Sequence, residues 1–283
     1  MHVMPAVSSS RVMRSALLAL LLLGCGEPEP TGITRPTAAG ELVVRVETVG
    51  GLLPPFEAER RLASISIYGD GLAIVPGAVS DTFPGPAGYP LEAFRIDAEL
   101  LDEIVGSALA IGLRGPDRRI EQEGPEFVVD GGATAITVVA SGVRHVTMAD
   151  ALFDAPASSR ERELLSGFVT RLLELRSTAL DVAPHESTSA AVYIASPDPG
   201  FGPDQGSQPD AQWPFEQRMS TWGDPLPPSG LSVDVRCAVV KGAELTAALP
   251  ALLGATATTP FVDESGDRRI VAWRALLPDE TGC

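Results

Sequence analysis

The sequence predicts an α+β fold: an antiparallel sheet built from hairpins, with two or three amphipathic helices packed on it. Three observations predict it. Alternating polar and apolar runs meet at two-residue turns, Asp70-Gly71 and Ser141-Gly142. Gly takes positive φ there at little cost, and the strands fold back as antiparallel neighbours. Two other stretches carry apolar residues at helical spacing. The composition, 45% apolar and 20% charged over 283 residues, is that of a chain that buries a core.

The elements follow in order. Glu41–Thr48 sets Val44 and Val46 against Arg45 and Glu47, a half-buried strand. Ala63–Tyr68 alternates with Ile65 and Ile67 inward, and Asp70-Gly71 returns the chain into Leu72–Val75. Residues 76–90, rich in Pro and Gly, read as loop. Asp97 caps a helix to about Ile111, with Leu100, Leu101, Ile104, Val105 and Ala108 on one stripe and Gly112 beyond its end. Residues 114–133 read as loop with a short strand at Phe127-Val128-Val129. Thr134–Ala140 and Val143–Met148 form the second hairpin. Ser158 and Glu161 have capping-box spacing for a helix to Arg176, striped by Leu164, Leu165, Phe168, Val169, Leu172 and Leu175.

A second part begins after Asp181. Ala190–Ala195 is a strand, and 196–230 is a long Pro/Gly-rich loop. Ser232–Val239 alternates, Gly242–Leu253 is a helix bent or interrupted at Pro250, and Arg269–Leu276 is a last strand. Residues 41–181 and 182–283 either share one sheet or form two subdomains.

The N-terminus reads as an address. Arg11 and Arg14 precede Ala16–Leu23, an unbroken apolar run too short to span about 30 Å of hydrocarbon, which takes roughly 20 residues. Leu22-Leu23-Gly24-Cys25 resembles the lipobox of bacterial lipoproteins. That resemblance implies a signal peptide over 1–24 and diacylation of Cys25, two chains being enough for stable anchoring in a bilayer. Residues 25–40, rich in Pro, Gly and Thr, read as a tether; if extended, its 15 residues past Cys25 reach on the order of 45 Å.

The chain carries 21 Lys+Arg against 37 Asp+Glu, a net charge of −16. Removal of residues 1–24 makes it more acidic still. Such a surface repels phosphate backbones, which excludes nucleic acid as the main partner. With Cys25 acylated, Cys237 and Cys283 remain, a natural disulfide pair in an exported chain. The stretches VRVETVGG (44–51), ISIYGDGLAIVPG (65–77), RCAVVKGAEL (236–245) and LLPDETGC (276–283) resemble a group of secreted lipoproteins from high-GC bacteria. The resemblance covers most of 41–283. It implies secretion and fold, and no chemistry.

The candidates for chemistry are sparse. His145 sits in the second hairpin strand with Asp150 five residues on, as an acid–base pair or, for His145, as a polar residue on the wet face of a sheet. His185-Glu186-Ser187 lacks the second His of a zinc protease helix. Asp198, Asp204 and Asp210, and separately Asp263, Glu264 and Asp267, offer carboxylates to calcium or form solvated turns. Trp213, Phe215 and Trp222 on the long loop either bind a glycan or partner protein or plug the edge of a core. No nucleophile elbow or Ser-x-x-Lys is present. The expectation is a lipid-anchored extracytoplasmic protein of the cell or outer membrane, with no catalytic residues, metal or cofactor assigned. Its partners are the bilayer, through Cys25, and an envelope protein or glycan. A tethered hydrolase and a calcium-dependent adhesion module are the alternatives.

Overall fold

The computed structural model describes residues 34–51, 53, 57–79, 81–122, 128, 130–154, 159–196, 208–226 and 234–283. Strands β1 (Leu42–Val49), β2 (Ile65–Tyr68), β3 (Leu72–Pro76), β4 (Leu91–Arg95), β5 (Arg118–Ile120), β6 (Ala133–Ala140), β7 (Val143–Asp150) and β8 (Ala183–Pro184) form the first sheet, in the order β5-β7-β6-β1-β2-β3-β4-β8. Strands β9 (Ser189–Ala195), β10 (Ala211–Gln212), β11 (Asp224–Pro225), β12 (Val235–Lys241), β13 (Pro260–Val262) and β14 (Arg268–Ala275) form the second, ordered β10-β13-β14-β9-β12-β11. All pairings are antiparallel except β5–β7 and β10–β13. Helices are α1 (Glu57–Arg60), α2 (Ala98–Ala110), α3 (Arg160–Thr178) and α4 (Gly242–Gly254). The fold is mixed α+β.

Two hairpins set the first sheet. In β2–β3, Ser66 pairs with Ile74 and Ile67 with Ala73. Gly71 sits at φ +81°, and a Cβ there would lie 2.3 Å from the Ile96 carbonyl oxygen, so only glycine makes this turn. In β6–β7, Ser141 and Gly142 both take positive φ, the requirement of a tight two-residue turn. Val44, Val46, Ile65, Ile67, Ile136 and Val138 project to one face. There α2 lays down Leu101, Ile104, Val105 and Ala108, and α3 lays down Leu165, Phe168, Val169 and Leu172.

The opposite face of the first sheet shares a core with the second. Tyr68, Ile74 and Leu91 join Val192, Val240, Val271 and Trp273, closed by Leu245, Ala248 and Leu252 of α4. The helix α4 runs on through Pro250 because those three residues bury in that core on both sides of it. The 77–90 loop is an inter-sheet strut as well as a connection. Ala87 donates to Ala255 and accepts from Trp273, and Pro86 bridges Thr256.

Several boundaries differ from the sequence reading. The α3 cap is Ser159, whose Oγ accepts from the Arg162 amide; Glu161 reaches across to Arg118 at 2.5 Å instead of back to the cap. Ser158, Phe127 and Val129 lie outside the described residues; among the described residues of the 114–133 stretch, β5 is a strand the sequence reading did not place. Part of the expected tether lies on the body. Arg35 donates to Asp102 at 2.6 Å and to the Gly69 carbonyl at 3.1 Å, and the Thr34 carbonyl accepts from Ser141. The rest of the tether, with Cys25, lies outside the described residues. Residues Thr34–Cys283 form one compact unit spanning both sheets.

Candidate functional site

The site is built around the C-terminal tail. After β14 the buried Leu276 and Leu277 hold the chain down, with the Leu276 amide on the Ser189 carbonyl. Pro278–Cys283 then crosses as a strap. Alternation along β1 turns Arg45 away from the helices, because Val44 and Val46 occupy the helical side. Its guanidinium donates to Ser66 Oγ at 3.0 Å and to Asp279 at 2.6 Å. The Tyr68 hydroxyl donates to the same Asp279 oxygen at 2.8 Å. One residue on, Glu280 is seated differently on the second sheet, by a guanidinium and by the Leu277 amide at 2.9 Å. Arg274 on β14 donates to Glu280 at 2.6 Å and to the hydroxyl of Tyr193 on β9 at 3.2 Å. The strap ends in a disulfide between Cys283 and Cys237 of β12.

Electrostatics fixes these two seats as cationic. Burial works against the charge on Arg45, but Asp279 and Tyr68 outweigh it and the guanidinium is held above its ordinary range. Arg274 is raised in the same way, by Tyr193 and Glu280 against burial. Burial first, and the Asp279 charge second, push the Tyr68 hydroxyl well above its ordinary value, so it stays a donor.

The strap's own balance is close. Ordering the backbone of six residues costs on the order of 6–12 kcal/mol, at about 1–2 kcal/mol each. Four charge-assisted hydrogen bonds to the two carboxylates, from Arg45, Tyr68, Arg274 and the Leu277 amide, return on the order of 6–12 kcal/mol, at about 1.5–3 kcal/mol each. The ion pairs alone therefore leave the strap near the point of release, and the disulfide decides that it stays down.

The strap divides two cavities. Glu280 lines a cleft of about 400 Å3 with Glu47, Glu59, Arg61, Tyr193 and Arg274. Asp279 lines one of about 520 Å3 with Arg35, Leu42 and Arg144. In the first, Arg61 is spent on the Thr48 and Gly50 carbonyls. Burial raises the Glu59 carboxyl above its usual range. Among the described residues no hydrogen bond or ion pair engages Glu47 or Glu59.

The sequence candidates fall as follows. His145 Nδ1–H donates to the Gly115 carbonyl at 2.6 Å, and Asp150 is held by Arg119 at 2.6 Å. An odd separation along β7 puts them on opposite faces, so they are not brought together. His185 has its imidazole pKa lowered by burial, and Ser187 is engaged with the Ser189 and Leu276 carbonyls. Trp213, Phe215 and Trp222 are buried as one knot, with Trp213 4.8 Å from Phe215 and 4.9 Å from Trp222, ring to ring. The Trp213 indole N–H bonds the Gln217 carbonyl, and that of Trp222 bonds the Val192 carbonyl. Asp263 is saturated by Ser265, Met219 and Asp267, the Ser265 hydroxyl foremost in holding its pKa low. Asp267 pairs with Arg269 and Asp210 with Arg268, while Asp198 and Asp204 lie outside the described residues. Among the described residues no group of three or more His, Cys, Asp or Glu is placed to hold a metal ion. The Arg45 and Arg274 seats escaped the sequence reading. Arg45 and Asp279 are 234 residues apart, and no spacing rule links them.

No protein-family model, curated protein or solved structure matches the chain.

Proposed function

We propose that this chain is an extracytoplasmic bacterial lipoprotein, anchored through acylated Cys25, that binds an envelope protein or glycan and does no chemistry on it. The observation that carries the export half is the Cys237–Cys283 disulfide, which persists in oxidising compartments, in a chain that opens with a lipobox-like segment. The binding half is supported by the mixed-charge cleft beside the strap, where Glu47 and Glu59 stand open to a ligand's donors.

The clasp on Thr34 and Arg35 bears on how such a protein sits. Only eight residues lie between Cys25 and Thr34, a reach of at most about 32 Å even fully extended. The body then stands nearer the bilayer than a tether running to Gly40 would hold it.

The test is in two parts. Labelled palmitate should enter the wild-type chain and not Cys25→Ser, and the variant should leave the membrane fraction. Label on the variant, or its retention in membranes, removes the anchor. Gentle cross-linking in native membranes should then capture a stoichiometric partner with the wild type and lose it with Glu47→Arg. Capture indifferent to that substitution removes the cleft as the binding face.

A further inference from the structure

We propose that Arg45 and Arg274 form a two-point carboxylate-binding site for an acidic peptide segment of a partner protein, which the chain's own Asp279 and Glu280 occupy until the Cys237–Cys283 bond is opened. The inference does not depend on the lipid anchor.

The geometry points to a recognition site more than to a simple staple. Each guanidinium donates to a tyrosine hydroxyl, one set on each sheet. The seats take carboxylates from adjacent residues, so the spacing they read is that of an Asp-Glu dipeptide closing a turn, in which the Glu280 amide bonds the Leu277 carbonyl. Guanidinium groups suit carboxylate recognition because they remain charged and offer several donors in a fixed plane. With the strap in place both arginines keep little exposure, 9% and 15% of their side chains, so a carboxylate seated on them is largely screened from water. Open space adjoins both seats, since the two cavities flank the strap. A ligand longer than the strap's own dipeptide has room on either side.

The strap has the features of a removable occupant. Its residues from Pro278 onward are mostly exposed, apart from the two carboxylates pointing inward. Few backbone hydrogen bonds hold it: the Glu280 amide bonds the Leu277 carbonyl within the strap's own turn. Cys283 is exposed, although Cys237 is buried. A dithiol reductant therefore has access from the Cys283 side. Reduction breaks the S–S bond and leaves two thiols. The dithiol supplies two electrons and two protons and closes its own disulfide. The strap is then left to the near-balanced ion pairs, and an acidic segment at high local concentration competes for the same two arginines.

The experiment uses the full-length chain and a fluorescein-labelled peptide copying residues 277–282, Leu-Pro-Asp-Glu-Thr-Gly. The opened variant is Asp279→Asn/Glu280→Gln/Cys283→Ser, its fold checked by circular dichroism and thermal melting. The peptide should bind the opened variant at least ten-fold more tightly than the oxidised wild type. Replacing its Asp-Glu by Asn-Gln, or adding Arg274→Gln to the protein, should each weaken binding at least ten-fold. A folded opened variant that binds acidic and amide peptides alike, or neither, overturns the site. A second measurement stands if that variant does not fold. Hydrogen exchange of the wild type, before and after dithiothreitol, should accelerate at least ten-fold at the Leu277 and Glu280 amides, the two that the strap's turn holds, while β9 and β14 stay protected. A strap whose exchange is unchanged by reduction overturns the gating.

Discussion

Truncation of Trp222 gives the sharpest test of how the long loop is held. Trp222 is 2% exposed and packs against Trp213, Phe215 and the inter-sheet core. A tryptophan buries roughly 150–250 Å2. At about 25 cal/mol per Å2 that is about 4–6 kcal/mol, an upper bound for an extended reference chain. Trp222→Ala also removes the donor to the Val192 carbonyl, worth about 1 kcal/mol. Measured aromatic-to-alanine losses in cores of about 3–5 kcal/mol bracket the expectation, which we set near 4 kcal/mol. Trp213→Ala, at a site 5% exposed, should cost slightly less. The two rings touch, so the double variant should fall short of the sum by on the order of 1 kcal/mol. The assay is guanidinium denaturation of the oxidised protein, read as midpoint and slope. Phe83→Ala is the control, because that ring is 85% exposed and should change stability by no more than about 0.5 kcal/mol. A Trp222→Ala loss below about 1 kcal/mol, or one equal to Phe83→Ala, would refute the buried knot and return these aromatics to the surface as ligand-binding groups.

Other outcomes follow from the same structure. Cys283→Ser should lower global stability by up to about 4 kcal/mol, the chain-entropy value for a bond spanning 46 residues, measured by denaturation against the oxidised wild type. Gly88→Ala should cost about 1–3 kcal/mol in the same assay, since its Cβ would lie 2.4 Å from the Trp273 ring in a packed core. Asp263 has its pKa lowered in the fold, first by the Ser265 hydroxyl, so its stabilisation is present above the unfolded carboxylate pKa of about 3.9 and is lost as pH falls through the lower folded value. The stability gap between wild type and Asp263→Asn, followed by urea denaturation, should therefore be widest near neutrality and narrow in acid; a gap that widens in acid reverses the sign of the reasoning.

What the sequence disclosed divides along the range of the forces involved. Elements with their own period and punctuation were legible: Asp97 caps α2 through the Leu100 amide, and Gly112 follows it at φ +90°. The two hairpins were legible because Asp70-Gly71 and Ser141-Gly142 carry the backbone requirement themselves. The strand β4 was not, because Leu91 and Phe94 bury at a spacing of three in a five-residue run. The strand β13 is three residues long and opens on proline, and β5 is two arginines and an isoleucine. All three exist because a neighbouring strand supplies the pairing, a tertiary cause that no local window contains. The split into two sheets is of the same kind, since alternation shows that a strand has a buried face and not which sheet it joins.

The site divides likewise. Cysteine counting was enough for the disulfide, because once Cys25 is set aside two thiols have one way to pair. The position of the aromatic cluster was legible and its burial was not, since a long loop needs apolar anchors and a glycan site uses the same residues. For His145 and Asp150 the sequence held more than proximity suggested. Five residues along a strand is an odd number, and odd separations point to opposite faces. The Arg45–Asp279 pair had the opposite character. Charged residues inside alternating strands are ordinary, and so are acids in a tail. Only the crossing of the strap over both sheets turns them into a cation and its occupant. That crossing is set by Leu276 and Leu277 burying at one end and Cys283 bonding at the other, so the same two restraints that order the tail also decide which carboxylates the arginines receive.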